Sequence, residues 1–427
     1  MSAVTRSYRN TMLICFVGTA NFPYLFTPDT ALHRQALQDN TVYESILDNY
    51  STDRINSLVS QVNITAIVFV NADSGEGYIS VDGNEGDRKN LTLWKSGDDL
   101  IKTVADHCAN TIVVIHSTGP TIVTEWHDHP NVTAILWAGL PGQESGNSIT
   151  DVLYGKINPA ARTPFTWGAT RESYGEEILS KRNNGYNAPQ DDFLDGVFID
   201  YRGFNARNIT PIYEFGFGLS YTSFEYSDLT ILRRLDSQVP WRATTMKTKS
   251  APVFGKLSTD INDYLFPLGI SKIRQYIYPY ISGTNAKIAS ADPKYGKKAS
   301  EFLPPHATDS SPQTVPDLKG YSGGEPEMWD VIWTVSAKIK NTGKRNGEEV
   351  PQLYISHGGP DTPKIVLRGF ERMSIDVGQT AVFVADITRR DLMNWDTVQQ
   401  KWVETGFTKV VFVGPSSKNL PLSIELT

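Results

Sequence analysis

One carboxylate stands apart in the stretch "NADSGEGY", residues 71–78: Glu76, between Gly75 and Gly77, with Tyr78 two positions on. The flanking glycines allow the backbone to approach a ligand closely. A carboxyl group partly screened from water has a raised pKa and can donate a proton. The same glutamate in an open turn is only a solvated charge, and the residues alone leave both readings standing. Tyr78 brings an aromatic face and a hydroxyl, the kind of surface on which sugar rings stack, or else a half-buried anchor.

Other constellations carry less chemistry. "DGNEGD" (82–87) clusters three acids, yet its order departs from a calcium-binding loop and lacks the closing glutamate, so a solvated acidic turn is expected. "HDH" (127–129) offers two imidazoles and a carboxylate, but no third ligand type follows at a regular spacing, and adjacent helical side chains diverge. Ser117, in "IHSTGP", has no Gly-x-Ser-x-Gly elbow around it. The phosphate-cradling and dinucleotide glycine patterns do not occur either, so no nucleotide cofactor is implied.

The elements that must position Glu76 are readable between residues 52 and 168. Ile55, Leu58, Val59 and Val62 are spaced as one face of a helix over 52–63. The run "ITAIVFVNA" (64–72) is nearly all apolar and rich in β-branched residues, the pattern of a strand covered on both faces. Next, "SGDDLIKTVADHCAN" sets Ser96 and Asp99 in capping-box spacing and puts Leu100, Val104 and Cys108 on one stripe, with Cys108 as an apolar filler. Strands at 111–118, 131–139 and 162–168 alternate with helices in "TIVTEWHDH" and "GQESGNSITDVLYGKI". Strand and helix in alternation imply right-handed crossovers and a mostly parallel sheet with helices on both faces. Ligands of such sheets sit beyond the carboxyl ends of the strands, where the Glu76 turn lies.

Residues 183–226 are rich in Gly, Asn and aromatics, and 237–327 is irregular, although "DYLFPLGISKIRQYIYPYI" is too apolar for a purely solvated linker. The latter reads as a long insertion, partly ordered by packing on a neighbour. Past 328 the period becomes two: Trp333, Val335, Ala337 and Ile339 share one face, and "VPQLYIS", "KIVLRGFERMSI", "QTAVFVADI" and "KVVFVGPSS" supply further short strands. About a hundred residues of this kind predict an antiparallel sandwich of immunoglobulin or fibronectin III type.

A chain of 427 residues exceeds one hydrophobic core. With 40 basic against 47 acidic residues the net charge is −7, and without a basic block nucleic acid is excluded as a partner. Cys15 and Cys108 are too few for a disulfide framework. Five Asn-x-Ser/Thr acceptors, Asn49, Asn63, Asn90, Asn131 and Asn208, are glycosylation candidates if the chain is secreted. The apolar stretch Met12–Val17 is too short for a signal core or a membrane span. The expectation is therefore an intracellular protein or a Met1 that is not the original start.

Four long stretches carry a family resemblance: "VFVNADSGEGYISVDGNEGDRKNLTLW", "ILWAGLPGQESGNSITDVLYGKINPAARTPFTW", "APQDDFLDGVFIDYRGF" and "PIYEFGFGLSYTSFEY". They resemble the C-terminal half of fungal glycoside hydrolase family 3 β-glucosidases, and "VPQLYISHGGPDTPKIVLRGFERM" resembles the fibronectin III-like domain that ends them. The likeness covers residues 18–427. It implies an α/β sandwich over 18–226, an insertion or linker over 227–327 and an all-β fibronectin III-like sandwich over 328–427, after an atypical segment 1–17.

By the same resemblance the activity is retaining hydrolysis of terminal β-glucosyl residues from cellobiose and cello-oligosaccharides, in a secreted protein without cofactor or metal. Glu76 takes the acid/base role, Tyr78 lines the aglycone entrance, and Asp73 and Ser74 contact substrate. The nucleophilic aspartate belongs to an N-terminal TIM-like barrel with no counterpart in these residues. A single carboxylate cannot complete a two-carboxylate mechanism, so the isolated chain is expected to be inactive. A rival expectation is a noncatalytic carbohydrate-binding or interaction fragment.

Overall fold

The computed structural model describes residues 2–3, 25–72, 74, 88, 90–175, 194–234, 326–360, 362–396 and 401–426. Five parallel strands form the first sheet: β1 (Ser2–Ala3), β2 (Ser45–Ile46), β3 (Ala66–Ala72), β4 (Thr111–Ser117) and β5 (Val132–Trp137), in the order β2-β1-β3-β4-β5. Alternate side chains of the central strands serve two cores. Val68, Val70, Val113 and Ile115 face one layer, and Phe69 and Val114 face the other. The near-continuous apolar runs are thus two interleaved faces, as the α/β expectation requires.

Four helices cover these faces: α1 (Pro28–Asp39), α2 (Thr52–Val59), α3 (Gly97–His107) and α4 (Ser145–Leu153). Helices α2 and α3 bury Ile55, Leu58, Leu100, Ile101 and Val104 against one side, while Leu32 of α1 and Ile149 of α4 pack on the other. Thr27 caps α1 by accepting from the Thr30 amide at 3.2 Å, and Asn40 ends it in the left-handed region.

Local details differ from expectation. Helix α2 stops at Val59, leaving Val62 exposed beyond its end. The Ser96 capping box does not form, because Ser96 is itself left-handed and makes no side-chain cap. Its place is taken by Asp98, whose carboxylate accepts from the Leu93 amide and from Trp126 Nε1 at 3.1 and 2.8 Å. Residues 121–129 make turns instead of a helix, with the fully buried Trp126 plugged into the core. The expected strand 162–168 reduces to a single antiparallel bridge, Trp167 to Tyr213. Cys108 is buried, as its stripe position predicts.

A short helix, α5 (Tyr201–Ala206), leads towards the second body. There β6 (Phe224–Arg233), β7 (Val331–Asn341), β8 (Gly347–Glu349), β9 (Gln352–Ser356), β10 (Val366–Phe370), β11 (Met373–Ile375), β12 (Thr380–Thr388), β13 (Met393–Asp396), β14 (Lys401–Glu404), β15 (Lys409–Gly414) and β16 (Leu422–Leu426) pair antiparallel. A sheet β12-β7-β6 faces a sheet β10-β9-β15-β16 across one core, in which Trp333, Val335, Ala337 and Ile339 are all buried. Strand β6 runs across the boundary expected at residue 226 and belongs to this sandwich through its pairing with β7.

The two bodies meet over polar contacts. Gln352 Nε2 donates to Gly216 O at 3.0 Å, Tyr201 Oη accepts from the Leu367 amide at 2.9 Å, and Ser416 Oγ donates to Glu214 at 2.6 Å.

Candidate active site

Strands β3, β4 and β5 end at one edge, with Ala72 level with Ser117 and Ile115 level with Trp137. The stretch holding Glu76 leaves this edge directly from β3. Glu76, Tyr78 and Asp73 lie outside the described residues, as do residues 82–87, for which an acidic turn is expected. The framework on either side is described, and it is tied down at three levels. The Trp94 amide donates to Asn71 O at 2.9 Å, the Ile122 amide to Leu91 O at 2.8 Å, and the Arg88 amide to Ser74 Oγ at 3.3 Å.

Ser74, a candidate substrate contact, is thus also an acceptor that links the chain before Glu76 to Arg88 after it. Arg88 reaches further: its guanidinium Nη2 donates to Pro120 O at 2.6 Å, in the turn that follows β4. That turn is itself anchored, since the Thr118 amide donates to Ala72 O at 3.4 Å. Ser117 is committed on both sides, donating to Gly119 O at 2.6 Å and accepting from Trp137 Nε1 at 2.8 Å. A hydroxyl so engaged is a structural linchpin of the edge and not a nucleophile, in keeping with the missing elbow motif.

The edge is dry beneath. His116, stacked on Phe69, is buried, and burial alone pulls its imidazole down to about 4, so it is neutral near pH 7. Tyr174 donates to Thr166 O and accepts from the Gly168 amide, and burial pushes its phenol up to about 12. The Arg88 charge acts on that phenol in the opposite direction, more weakly than burial does. Aromatic rings line the flank: Phe165 meets Trp137 edge-on at 5.0 Å and Trp167 at 5.3 Å.

The His127 and His129 side chains diverge. His129 Nε2 sits 3.3 Å from Asp106, while His127 stands edge-on to Tyr213. Among the described residues no group of three His, Cys, Asp or Glu side chains is placed to hold a metal, and no helix is long and apolar enough to cross a membrane.

The glycosylation candidates separate into two kinds. Asn63, Asn90 and Asn208 are exposed. The Asn49 and Asn131 side-chain amides instead donate to Lys95 O and Ala105 O, at 2.8 and 2.7 Å.

Two features define the class of protein: a doubly covered parallel sheet whose carboxyl edge is cross-tied through Ser74, Arg88 and Pro120, and a fibronectin III-like sandwich bonded to it. The chain belongs to glycosyl hydrolase family 3. The C-terminal domain of that family matches residues 4–221, and the fibronectin type III-like domain matches residues 349–417.

The chain is 54% identical over 409 residues to Beta-glucosidase 1 of Aspergillus aculeatus, and 52% identical to Beta-glucosidase A of Aspergillus kawachii. In each case 96% of this chain matches 47% of the relative, so the chain spans about half the length of the curated relatives it matches. Among solved structures, it resembles the Chaetomium thermophilum beta-glucosidase with a TM-score of 0.77 at 56% identity, covering 96% of this chain and 49% of that one. A family 3 beta-glucosidase from Neurospora crassa gives a TM-score of 0.80 at 52% identity, covering 100% and 53%.

The resemblance, and not spacing, singled out Glu76. Arg88 went unnoticed in the sequence. Its one local signal is that it is the first cation after the acidic turn 82–87.

Proposed function

We propose that this chain supplies the proton-transfer half of a retaining β-glucosidase acting on cellobiose and cello-oligosaccharides, with Glu76 as acid/base. The observation that supports it most is the built edge next to Glu76 in the chain: Ser74 and Arg88, on either side of it, are bonded to each other, and Arg88 is bonded to the turn after β4. Cross-ties on both sides of the segment suit a carboxyl group that must hold a proton and release it in one direction. Relatives bearing the name beta-glucosidase at 52–54% identity point to the same substrate class.

In this reading the barrel domain that family members carry provides a carboxylate that attacks the anomeric carbon. As the glycosidic bond breaks, its oxygen takes the proton of Glu76. The Glu76 carboxylate then removes a proton from water, whose oxygen attacks the anomeric carbon and releases glucose and the nucleophile. Tyr78, Asp73 and Ser74 contact the sugar on the leaving-group side. The isolated chain is inactive because half of this pair is elsewhere. Secretion is part of the reading, as are the divisions near residues 17, 226 and 327, with β6 assigned to the second unit.

The test is Glu76→Gln in the barrel-containing protein. Turnover of cellobiose, a poor leaving group, falls by about 10²–10⁴-fold, whereas an activated dinitrophenyl glucoside is cleaved with a far smaller loss in the glycosylation step. Equal losses on both substrates remove Glu76 from the acid role. Turnover by the isolated chain at the level of the complete protein would remove the need for the barrel.

A further inference from the structure

We infer that Arg88 is a positioning residue for the acid/base, an inference that rests on the role proposed for Glu76. Two separate bonds locate it. Its backbone amide donates to Ser74 Oγ at 3.3 Å, joining the described residues on either side of the Glu76 segment. Its side chain reaches across to Pro120 O at 2.6 Å, in the turn that follows β4. A long side chain that donates hydrogen bonds can make this second connection from residue 88.

The receiving turn is shaped for it. A Cβ on Gly119 would stand 3.3 Å from Arg88 Nη2, closer than ordinary contact, so the glycine makes room for the guanidinium. The turn is held from below as well, by Thr118 on Ala72 and by Ser117 between Trp137 and Gly119. Arg88 therefore ties the described residue on the far side of Glu76 both to Ser74 on the near side and to the turn that follows β4. Proton delivery to a leaving oxygen depends on sub-ångström placement, and a displacement near 1 Å costs on the order of 100-fold.

The experiment uses the full-length, barrel-containing protein with Arg88→Ala, Arg88→Lys and Glu76→Gln, each assayed on cellobiose and on dinitrophenyl β-glucoside, alongside thermal midpoints. Arg88→Ala is expected to lose about 10–100-fold in kcat/KM on cellobiose and much less in kcat/KM on the activated glucoside, whose glycosylation step needs no acid. Arg88→Lys, which keeps one donor within reach of Pro120 O, recovers part of the loss. A merely structural arginine lowers both substrates together in step with the thermal midpoint, and that result overturns the inference. If Glu76→Gln discriminates between the substrates and Arg88→Ala does not, only the positioning role fails. If Glu76→Gln itself fails to discriminate, the acid/base reading falls and this inference with it.

Discussion

Arg162 Nη2 and Glu349 Oε1 are 3.0 Å apart across the junction of the two bodies, with both side chains enclosed to 7% and 5% exposure. Tyr226 donates to the same carboxylate oxygen at 3.0 Å, and Arg162 Nη1 is held by Ala160 O at 2.8 Å. Two charges so deeply enclosed offset each other's desolvation only while both are present. Glu349→Ala should therefore cost about 3–5 kcal/mol, because it strands the guanidinium. The paired replacement Arg162→Met with Glu349→Leu should recover most of that loss. Urea unfolding of the three proteins checks this: a single mutant within 1 kcal/mol of the parent, by the usual range for exposed pairs, would show that water already reaches the junction.

The buried His116 makes stability depend on pH in a defined direction. Its folded pKa of about 4 lies below the unfolded value of about 6.5. Between those limits the unfolded chain binds a proton that the folded chain excludes, so the folded state loses stability as pH falls from about 6.5 to about 4 and levels off below. The whole shift is worth about 3 kcal/mol. Denaturant midpoints of the parent and of His116→Gln at pH 7 and pH 4.5 measure it. The parent should lose more stability over that interval than the variant, and parallel losses would mean that His116 is already hydrated.

How much of this was readable beforehand depended on whether the signal was local. The strands were, because β-branched runs such as 66–70 and 111–115 bury both faces, and the alternation of Trp333, Val335, Ala337 and Ile339 has a single periodicity. Helix ends were less so. Ser96 has a capping residue's chemistry, but Gly97 is pressed against Leu93 and Val70, and the chain turns left-handed to enter there. In the segment 121–129, Val123 and Trp126 point inward from one tight turn, a spacing that mimics a helical face without continuing it. Helix α5 hides among Gly and Asn because its start is fixed by Asp200, whose carboxylate holds the Tyr201 and Thr166 amides. Strand β6 was illegible because its partner β7 begins almost a hundred residues later in the chain. At the site, a glutamate between glycines was ambiguous in itself, and the tether through Arg88 and Pro120 exists only once β3 and β4 are side by side.

Gly146 shows what a tight helix approach demands. It lies in the first turn of α4, and its amide donates to Phe26 O at 2.8 Å, where the chain enters α1. A Cβ there would be driven into the backbone carbonyls of Thr27 and Phe26, neither of which can rotate aside. Gly146→Ala should destabilise by about 1–3 kcal/mol, the range for overpacking, despite the better helix propensity of alanine. A thermal midpoint equal to or above that of the parent would mean that α1 can slide away from α4.

Glycan occupancy tests the proposed secretion and the local geometry together. Asn63, Asn90 and Asn208 are exposed, and a glycan on their amide nitrogens projects into solvent. Asn131 uses that nitrogen to hold Ala105 O at 2.7 Å, at the end of α3 beside β5, and Asn49 uses its own to hold Lys95 O at 2.8 Å. A glycan replaces one of the two hydrogens on that nitrogen and must leave beside the bond it makes, which crowds the part-buried Asn131 contact more than the exposed Asn49 contact. Glycopeptide mapping of the full-length protein from a secreting host should find sugar on the first three, less on Asn49 and least on Asn131. Attachment precedes folding, so any glycan at Asn131 should be enriched in material retained inside the cell and depleted from the secreted pool. Full occupancy of Asn131 in secreted, thermally unaltered protein would show that its contact with Ala105 leaves room for sugar, while absence of sugar from all five would argue against passage through the secretory route.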